Sequence, residues 1–536
     1  MLAAVTMAAL GVGGGAQALG SSEPSLLSGL RAGNGGTPFA GDGSLLTTVS
    51  PNGDGFRDAA VFRFRLARAA RVFVQVFKPT DRASFPQLVA WQSRALAAGW
   101  RRLAWRPPRT FQPRSYLVRL TAIDRSGRRQ IIGRLRRGDR AVQPGPVVQV
   151  SEIEAGFKRA SYAPGANAHL VVSTDSESLT LEFFQAGPET EPSLYHGYHQ
   201  DELFGVPVGE PIHVDWSAHR SRPGVVNLRI PNGPSGLYFV RVTGDDGRLG
   251  FAPFVRLPQG LGRHRVAVVI PTNTWAAYNH RDMNGDGWGD TWYANESFNR
   301  VDLTRPNLHR GVPMRLRAYA LGFIRWLYVT NKQVDFFSDA ELDQVSGRRL
   351  SASYDLIVFV GHHEYMTTHA YNAVAHYRDL GGNLMFTATT NFLWRIQRHG
   401  HWIIRKKEWR DSRPEAGLIG VQYLHNDGGV HQGHYLVTGA DRAPWAFKGT
   451  GLRNGSSFGH GGIEIDARTS ASPPGTIVLA SMPNLHGPGL SAEMTYYTTR
   501  SGAKVFAAGT LNFAGTATEP DVSAVLENVW SHLARP

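Results

Sequence analysis

The sequence predicts a multidomain chain in which two all-β sandwiches are followed by one three-layer α/β domain. Two observations support this fold class, and a third excludes several alternatives. The chain has 536 residues, several times the length of a typical domain. Segments of alternating polar and apolar residues fill the first half, whereas continuous apolar runs alternate with helical patterns in the second. The sequence contains no cysteine, which excludes disulfide scaffolds, cysteine-ligated metal centres and thiol nucleophiles.

The first sandwich is predicted over residues 41–142, after a Ser-, Gly- and Pro-rich segment at 21–40 that is typical of a linker. In residues 60–66 apolar side chains alternate with arginines, as in a strand with one buried face. Strands of this kind, separated by Gly and Asp turns, favour a sandwich. Residues 50–58, SPNGDGFRD, resemble the opening of flagellar hook-cap-type immunoglobulin-like modules found in exported bacterial proteins. The resemblance implies an immunoglobulin-like fold.

A second β-sandwich is predicted over residues 147–258, after the break QPGP at 143–146. Its strand-like segments are 168–173, 179–184, 225–230 and 237–242.

The pattern changes in the last domain, predicted over residues 262–536. Residues 266–270 form an apolar run of the kind that a strand buried on both faces requires. Two further apolar runs, 356–360 and 384–388, lie on either side of a helical pattern at 368–380. Alternation of strand, helix and strand predicts an α/β domain with a mostly parallel sheet.

The positive charge is concentrated at the beginning of the chain. The first 150 residues hold 22 Lys and Arg against 7 Asp and Glu, whereas the rest of the chain is close to neutral. A positive electrostatic field of this size favours the binding of polyanions such as nucleic acid, anionic wall polymer or anionic lipid. The alternative is that arginine occupies solvated strand faces without a partner, and no recognised nucleic-acid motif accompanies the charge.

The first twenty residues resemble an export signal. An apolar stretch from Leu2 to Leu10 leads into glycines and the triplet Ala16-Gln17-Ala18, which is typical of a signal-peptide cleavage site. The basic segment that usually precedes the apolar stretch is missing, because Arg31 is the first basic residue. We therefore expect a secreted or cell-surface protein, and past this segment we expect no transmembrane helix.

Candidate site residues follow three strands of the predicted sheet. Ligands of open α/β sheets bind beyond the carboxyl ends of the strands, and the segments there are 271–279, 361–365 and 389–395. The sequence GHHEY at 361–365 places two imidazoles, a carboxylate and a phenol together, which is costly to bury without a purpose. The alternative is that these polar residues cap helices or lie on the surface.

Four segments of this domain, 271–279, 361–365, 381–395 and 462–466, resemble the C-terminal domain of the large (beta) subunit of N,N-dimethylformamidase. The similarity extends over about residues 160–530. That domain is similar in layout to the class I glutamine amidotransferase fold, which is flavodoxin-like. The resemblance also implies a small amide substrate and a partner, the small subunit.

The resemblance to that family implies an iron ion that is held by two tyrosines and one glutamate. The ion would activate water for amide hydrolysis. Tyr365 matches the first tyrosine and Glu464 the glutamate. The second tyrosine falls at Leu393, which cannot ligate a metal. Either a histidine replaces it, the candidates being His362, His363 and His460, or the iron site is absent.

Two functions follow from these observations. The first is a metal-dependent hydrolase of C–N bonds with His362, Tyr365 and Glu464 at the metal. His363 would be its general base or a replacement ligand, Asn391 would orient the substrate carbonyl, and Asn273 would line the pocket. The second is a non-catalytic extracellular binding module, in which the arginine-rich sandwich docks on anionic surface polymer.

A calcium-like loop lies at the start of the last domain. Asp282, Asn284, Asp286 and Asp290 have the spacing of ligands in a calcium-binding loop, although Tyr293 stands where a glutamate usually completes the set. The loop is either a calcium site or a turn stabilised by its own side chains.

Overall fold

The computed structural model describes residues 24–79, 85–189, 193–196, 199–293, 298–308 and 310–534. The predicted signal peptide, residues 1–20, lies outside these ranges. No helix in the described ranges is long and apolar enough to cross a membrane.

The first part of the chain forms two facing sheets. Its strands are β1 Leu27–Gly33, β2 Leu46–Val49, β3 Ala60–Leu66, β4 Ala70–Lys78, β5 Gln87–Leu96, β6 Gly99–Trp105, β7 Arg114–Asp124, β8 Arg129–Ile132 and β9 Val147–Val150. One sheet has the order β1-β3-β6, and the other has the order β2-β9-β7-β4-β5 with β8 beside β7. Phe62, Phe64, Val72 and Val74 are buried between them, as their alternation with polar residues dictates. Strand β1 lies within the segment predicted as a linker.

The second part is also β-structure. Its strands are β10 Glu154–Phe157, β11 Ser161–Tyr162, β12 Asn167–Ser173, β13 Ser178–Gln185, β14 Leu194–His196, β15 His199–Glu202, β16 Val206–Pro207, β17 Ile212–Asp215, β18 Gly224–Arg229, β19 Gly236–Gly244 and β20 Leu249–Arg256. A sheet of order β10-β12-β18 packs against a larger sheet of order β11-β20-β19-β13-β16, in which β17 also pairs with β13. The core between them is rich in aromatic residues, including Trp216 and Phe254.

The third part contains the largest sheet. Its strands are β21 Val266–Ile270, β22 Arg300–Asp302, β23 Asp335–Ser338, β24 Leu356–Phe359, β25 Tyr365–Thr367, β26 Asn383–Phe386, β27 Trp394–His399, β28 Trp402–Glu408, β29 Gln422–Asn426, β30 Gln432–Val437, β31 Ser457–Gly462, β32 Glu464–Ala467, β33 Ile477–Met482, β34 Ala492–Thr498 and β35 Lys504–Ala507. The helices are α1 Thr272–Ala277, α2 Gly322–Val329, α3 Asp339–Leu342, α4 Gly347–Ser353, α5 Thr368–Asp379, α6 Ala416–Ile419 and α7 Pro520–Leu533.

The prediction of a three-layer α/β domain, similar to class I glutamine amidotransferases, is wrong. Strands hold 39% of the residues and helices 15%, so the chain is multidomain and rich in β-structure throughout. The nine-stranded sheet has the order β23-β21-β24-β26-β35-β34-β33-β30-β31. Only its first five strands are mutually parallel, and the remaining four continue it as antiparallel strands. Apolar runs identified the parallel strands, but the glycine-rich and mixed segments that form the antiparallel half carry no comparable signal.

Two smaller sheets lie beside this one and frame the candidate site. Strands β22, β28, β27 and β25 form a four-stranded sheet, and β29 pairs with β32. Strand β25 begins at Tyr365, six residues after the carboxyl end of β24 at Phe359, and β32 begins at Glu464. The main sheet and its two neighbours therefore bring Tyr365 and Glu464 to the same edge.

Candidate functional site

The segments after β21, β24 and β26 contact one another directly. The amide of Glu364 donates a hydrogen bond to Oγ1 of Thr274 at 3.1 Å. The amide of His363 donates to Oδ1 of Asn391 at 3.2 Å. Because parallel strands end at the same edge of a sheet, the segments that follow them meet there.

Five buried side chains lie close together at this point, and we call them the tyrosine–carboxylate cluster. Its members are Tyr278, His362, Glu364, Tyr365 and Glu464, and none is more than 9% exposed. The hydroxyl of Tyr278 donates a hydrogen bond to Oε2 of Glu364. The Tyr278 ring makes edge contacts with His362 and Tyr365, with ring centroids 5.5 and 6.2 Å apart.

His362 lies between the two carboxylates of the cluster. Its Nε2 is 3.3 Å from Oε2 of Glu364, and its Nδ1 is 3.9 Å from Oε2 of Glu464. Neither ring nitrogen makes a well-formed hydrogen bond, although both are buried. Burial lowers the pKa of His362, but the charges of Glu464 and Glu364 outweigh it, so that the pKa is raised above its usual value.

Ionisation of the phenols and of Glu464 in the cluster is disfavoured. Burial and the charge of Glu364 raise the pKa of both Tyr278 and Tyr365 well above that of a free phenol. Burial also raises the pKa of Glu464; His362 opposes this effect and Glu364 reinforces it. Two carboxyls and two phenols thus share one dry space with a single imidazole, an arrangement that a cation would stabilise.

Hydrogen bonds fix the carboxyl of Glu464. Oε2 accepts from the hydroxyl of Thr390 at 2.6 Å, and Oε1 accepts from the side-chain amide of Asn426 at 2.7 Å. The amide of Thr390 donates to both carboxyl oxygens of Asp466 at 3.1 Å. Burial raises the pKa of Asp466 to about 8. Thr390 and Ile463 have φ of 56° and 70°, a conformation that is unfavourable for side chains branched at Cβ.

The predicted general base His363 points away from the cluster. Its Nδ1 lies 3.2 Å from Oδ1 of Asp339, and its Nε2 lies 3.0 Å from the carbonyl oxygen of Val269. The side chain of Asn391 accepts from the amide of His363 and donates to the carbonyl of Ala388 at 2.7 Å. In this structure both residues hold the loops together.

Asn273 lies next to Tyr365 but faces a different cavity. Its side-chain amide donates to the carbonyl oxygen of Tyr365 at 3.2 Å, and its Oδ1 accepts from Arg398 at 2.9 Å. The cavity, of about 610 Å³, is lined by Asn273 and Arg398 and by residues of the second sandwich such as Ser161. The lining includes no residue of the tyrosine–carboxylate cluster.

The position where a second tyrosine was expected contributes no ligand atom, but another tyrosine does lie at the site. Leu393 is buried, and its carbonyl accepts the amide of Trp409 at 2.8 Å. Tyr278, at the end of α1, occupies the cluster instead. It lies within residues 271–279, the strand-end segment already identified from sequence, so the phenol there was the available signal. His460 lies toward the surface, with Nδ1 3.4 Å from Glu519.

The calcium-like loop is hydrogen-bonded within itself. Asp282 accepts from the amides of Gly285 and Gly287, both at 2.8 Å, and Asn284 and Asp286 accept from amides two residues further on. Asp290 accepts from the amide of Met283. Burial, with Asp286 and Asp290 nearby, raises the pKa of Asp282 to about 6. The calcium site stays a prediction.

Comparison with known proteins identifies the family to which the chain belongs. No curated protein matches the chain significantly. One solved structure that matches is trypsin-activated alpha-2-macroglobulin from Escherichia coli, with 10% sequence identity and a TM-score of 0.24. That match covers 44% of this chain and only 17% of the macroglobulin. The sequence model of the family described as N,N-dimethylformamidase beta subunit-like, C-terminal, matches residues 219–523, a range that includes every residue of the tyrosine–carboxylate cluster. By this match over more than half of its length, the chain belongs to the N,N-dimethylformamidase beta subunit-like family.

Proposed function

We propose that this chain is a metal-dependent hydrolase of small amides. The observation that carries the proposal is His362, whose two buried ring nitrogens lack hydrogen-bond partners while facing two carboxylates. Buried polar groups without partners are rare in folded proteins, and a bound ion is one of the explanations for such a group.

The residues present fit a metal ion. In the described ranges, no group of three or more His, Asp or Glu side chains is arranged to hold one, so tyrosine oxygens are needed as ligands. Tyr278, Tyr365 and Glu464 supply two phenols and a carboxylate, and His362 supplies a nitrogen. Phenolate and carboxylate are hard ligands that suit iron(III). A cation would also offset the burial and the negative charge of Glu364 that raise the pKa of Tyr278, Tyr365 and Glu464.

The chain's own residues can prepare an amide for attack by water. A hard Lewis acid held by the cluster would polarise the amide carbonyl and make water a stronger nucleophile. The carboxylate of Glu364 accepts a hydrogen bond from the hydroxyl of Tyr278 and lies beside Nε2 of His362, so Glu364 and His362 could hold and pass on the proton that the attacking water releases. Thr390 and Asn426 keep Glu464 in one orientation throughout.

Elemental analysis of the purified full-length chain tests the proposal. We expect about one iron per chain and hydrolysis of small N-substituted amides. Glu464→Gln and Tyr278→Phe should lower both the metal content and kcat. Tyr328→Phe alters a partly buried tyrosine outside the cluster and should leave the metal content unchanged. A metal-free protein without amidase activity would contradict the proposal and favour the binding-module alternative.

Two further parts of the proposal concern assembly and location. The family is named for a beta subunit, so we propose that a smaller partner subunit completes the enzyme. We also propose that the protein is exported, on the strength of the apolar stretch and small-residue triplet in residues 1–20. Co-purification of the tagged chain from its natural host would identify the partner, and N-terminal sequencing of exported protein would locate the cleavage site.

A further inference from the structure

Three arginines lie side by side on the outer face of the first sandwich. Strand β3 is the middle strand of the sheet β1-β3-β6, and its Arg63 pairs with Arg31 of β1 and with Arg102 of β6. Directly paired residues of antiparallel strands point to the same face, about 5 Å apart. All three side chains are exposed. We call Arg31, Arg63 and Arg102 the arginine row.

The arginine row is not neutralised by the protein. Like charges directly opposite each other destabilise a sheet, and the three strands contain no Asp or Glu. None of the three guanidinium groups forms an ion pair with another residue in the described part of the chain. Arg101, their neighbour, differs because it donates to the carbonyl oxygens of Ala97, Ala98 and Trp100. The row therefore presents three adjacent cations to solvent. Each guanidinium group can form bidentate hydrogen bonds with a carboxylate group.

An exposed indole lies on the same face. Trp100 pairs with Arg65 across β6 and β3, and its side chain is 59% exposed. The ring reaches over Gly29 of β1, where a Cβ atom would lie 2.9 Å from Cη2 of the indole. Gly29 has φ of +61° within a β-bulge, so the glycine both allows the bulge and leaves room for the ring. The result is a flat aromatic surface beside Arg65 and the arginine row.

We propose that this face binds an anionic polysaccharide whose sugar rings carry carboxylates. The arginine row would bind the carboxylates, and Trp100 would stack on the apolar face of a sugar ring. Surfaces for single-stranded nucleic acid present several aromatic side chains to successive bases, whereas this sheet face presents one. Membrane-surface elements bury a broad apolar face, which is also missing from the face that Trp100 shares with four arginines.

Calorimetric titration of the full-length protein with polygalacturonate tests the proposal. Replacing the row by Arg31→Gln, Arg63→Gln and Arg102→Gln should weaken binding about tenfold or more. The matched control is Arg348→Gln, Arg349→Gln and Arg442→Gln, an equal change of charge at exposed arginines elsewhere, and it should bind like the wild type. Trp100→Ala should weaken binding without changing the net charge. Fully methyl-esterified polygalacturonate should not bind, because it has the same sugar rings without the charge.

Salt and competing polyanions decide between this proposal and a general affinity for negative charge. Binding of polygalacturonate by the wild type should weaken as salt rises, and the triple variant should show a shallower dependence. Tighter binding of a single-stranded DNA oligonucleotide or of phosphatidylglycerol vesicles than of polygalacturonate would overturn the proposal. Equal losses in the triple variant and in its matched control would also overturn it. The thermal unfolding midpoint of the triple variant should be no lower than that of the wild type, since repulsion is removed.

Discussion

The hydroxyl of Thr390 donates a hydrogen bond to Oε2 of Glu464 at 2.6 Å. Through its amide the same residue also binds Asp466, so one threonine holds two buried carboxyl groups. Glu464 belongs to the tyrosine–carboxylate cluster, whereas Thr390 lies just outside it. The position of the Glu464 carboxylate therefore depends on a residue outside the cluster.

Replacing Thr390 by valine keeps the shape of the side chain and removes this hydrogen bond. We expect Thr390→Val to lower metal occupancy or kcat by about 10- to 100-fold, as is typical when a group that orients a metal ligand is lost. Elemental analysis and amide hydrolysis measure the two quantities. Thr495→Val is the control, because the buried Oγ1 of Thr495 has no hydrogen-bond partner in the described structure. Normal metal content and activity in Thr390→Val would show that Glu464 needs no such support.

Gly311 lies where the third part of the chain runs against β20. A Cβ atom there would lie 1.7 Å from the carbonyl oxygen of Phe251, and φ is +86°. We expect Gly311→Ala to reduce the free energy of unfolding by about 3 kcal/mol or more, since the added methyl group meets backbone that cannot move aside.

Gly449→Ala separates backbone strain from this steric clash. Gly449 has φ of +75° and nothing within 4 Å of the added Cβ, so its replacement should cost only about 1–2 kcal/mol. Thermal unfolding measures both variants. Equal midpoints would show that the segment at Gly311 shifts freely.

His532 links stability to pH near the C-terminus. Its ring stacks on Trp445 with centroids 3.8 Å apart, and its Nε2 lies 2.9 Å from the hydroxyl of Tyr496. Burial, helped by the charge of Lys504, lowers the pKa of His532 to about 4. Because the unfolded chain takes up the proton first, near pH 6.5, this contribution to stability is present above pH 6.5 and is lost as the pH falls toward 4.

His532→Phe keeps an aromatic ring stacked on Trp445 and removes the imidazole that takes up the proton. After allowance for solvent screening, we expect the wild type to lose about 1 kcal/mol more than this variant between pH 7 and pH 4.5. Urea unfolding at several pH values measures the difference, with His399→Phe as an exposed control. Identical pH profiles for the wild type and His532→Phe would show that His532 does not titrate in this range.

The arginine row should cost stability even without a ligand. Arg63 faces a like charge on both sides, so we expect Arg63→Gln to raise the free energy of unfolding by about 0.5–1 kcal/mol at low salt. The gain should vanish near 1 M salt, where the screening length is about 3 Å. Arg348→Gln, at an exposed arginine outside the arginine row, should leave the free energy of unfolding unchanged at either salt concentration. A loss of stability in Arg63→Gln at low salt would show that the row is neutralised in a way the register does not reveal.

Local patterns predicted single elements well. Strand β3 spans Ala60–Leu66, as its alternation indicates, because Phe62 and Phe64 are buried while Arg63 and Arg65 face solvent. The apolar run at Val266–Ile270 is β21 and is buried throughout. The antiparallel half of the large sheet was not predicted. Strands such as β31, with the sequence SFGHGG, consist mostly of serine and glycine and owe their conformation to the strands beside them.

Sequence identified the segments that contribute Tyr365 and Glu464 to the tyrosine–carboxylate cluster, but it identified the members of the cluster only in part. The strand-end rule led to residues 361–365, and the family resemblance led to Glu464. Tyr278 was missed as a cluster member because it is 86 residues away from Glu364, and no local pattern connects the two. The roles expected of His363 and Asn391 depend on the direction of each side chain, which residue type and spacing do not fix.

The left-handed conformations of Thr390 and Ile463 affect how this protein can be engineered. Glycine would adopt each geometry at lower backbone cost, but it would remove the buried side chain of Ile463 and the hydroxyl that Thr390 donates to Glu464. The cavity left by a large buried side chain costs about 2–5 kcal/mol, which exceeds the cost of about 1–2 kcal/mol for one left-handed residue. Replacement of strained residues by glycine, a common route to a more stable protein, should therefore fail at these two positions.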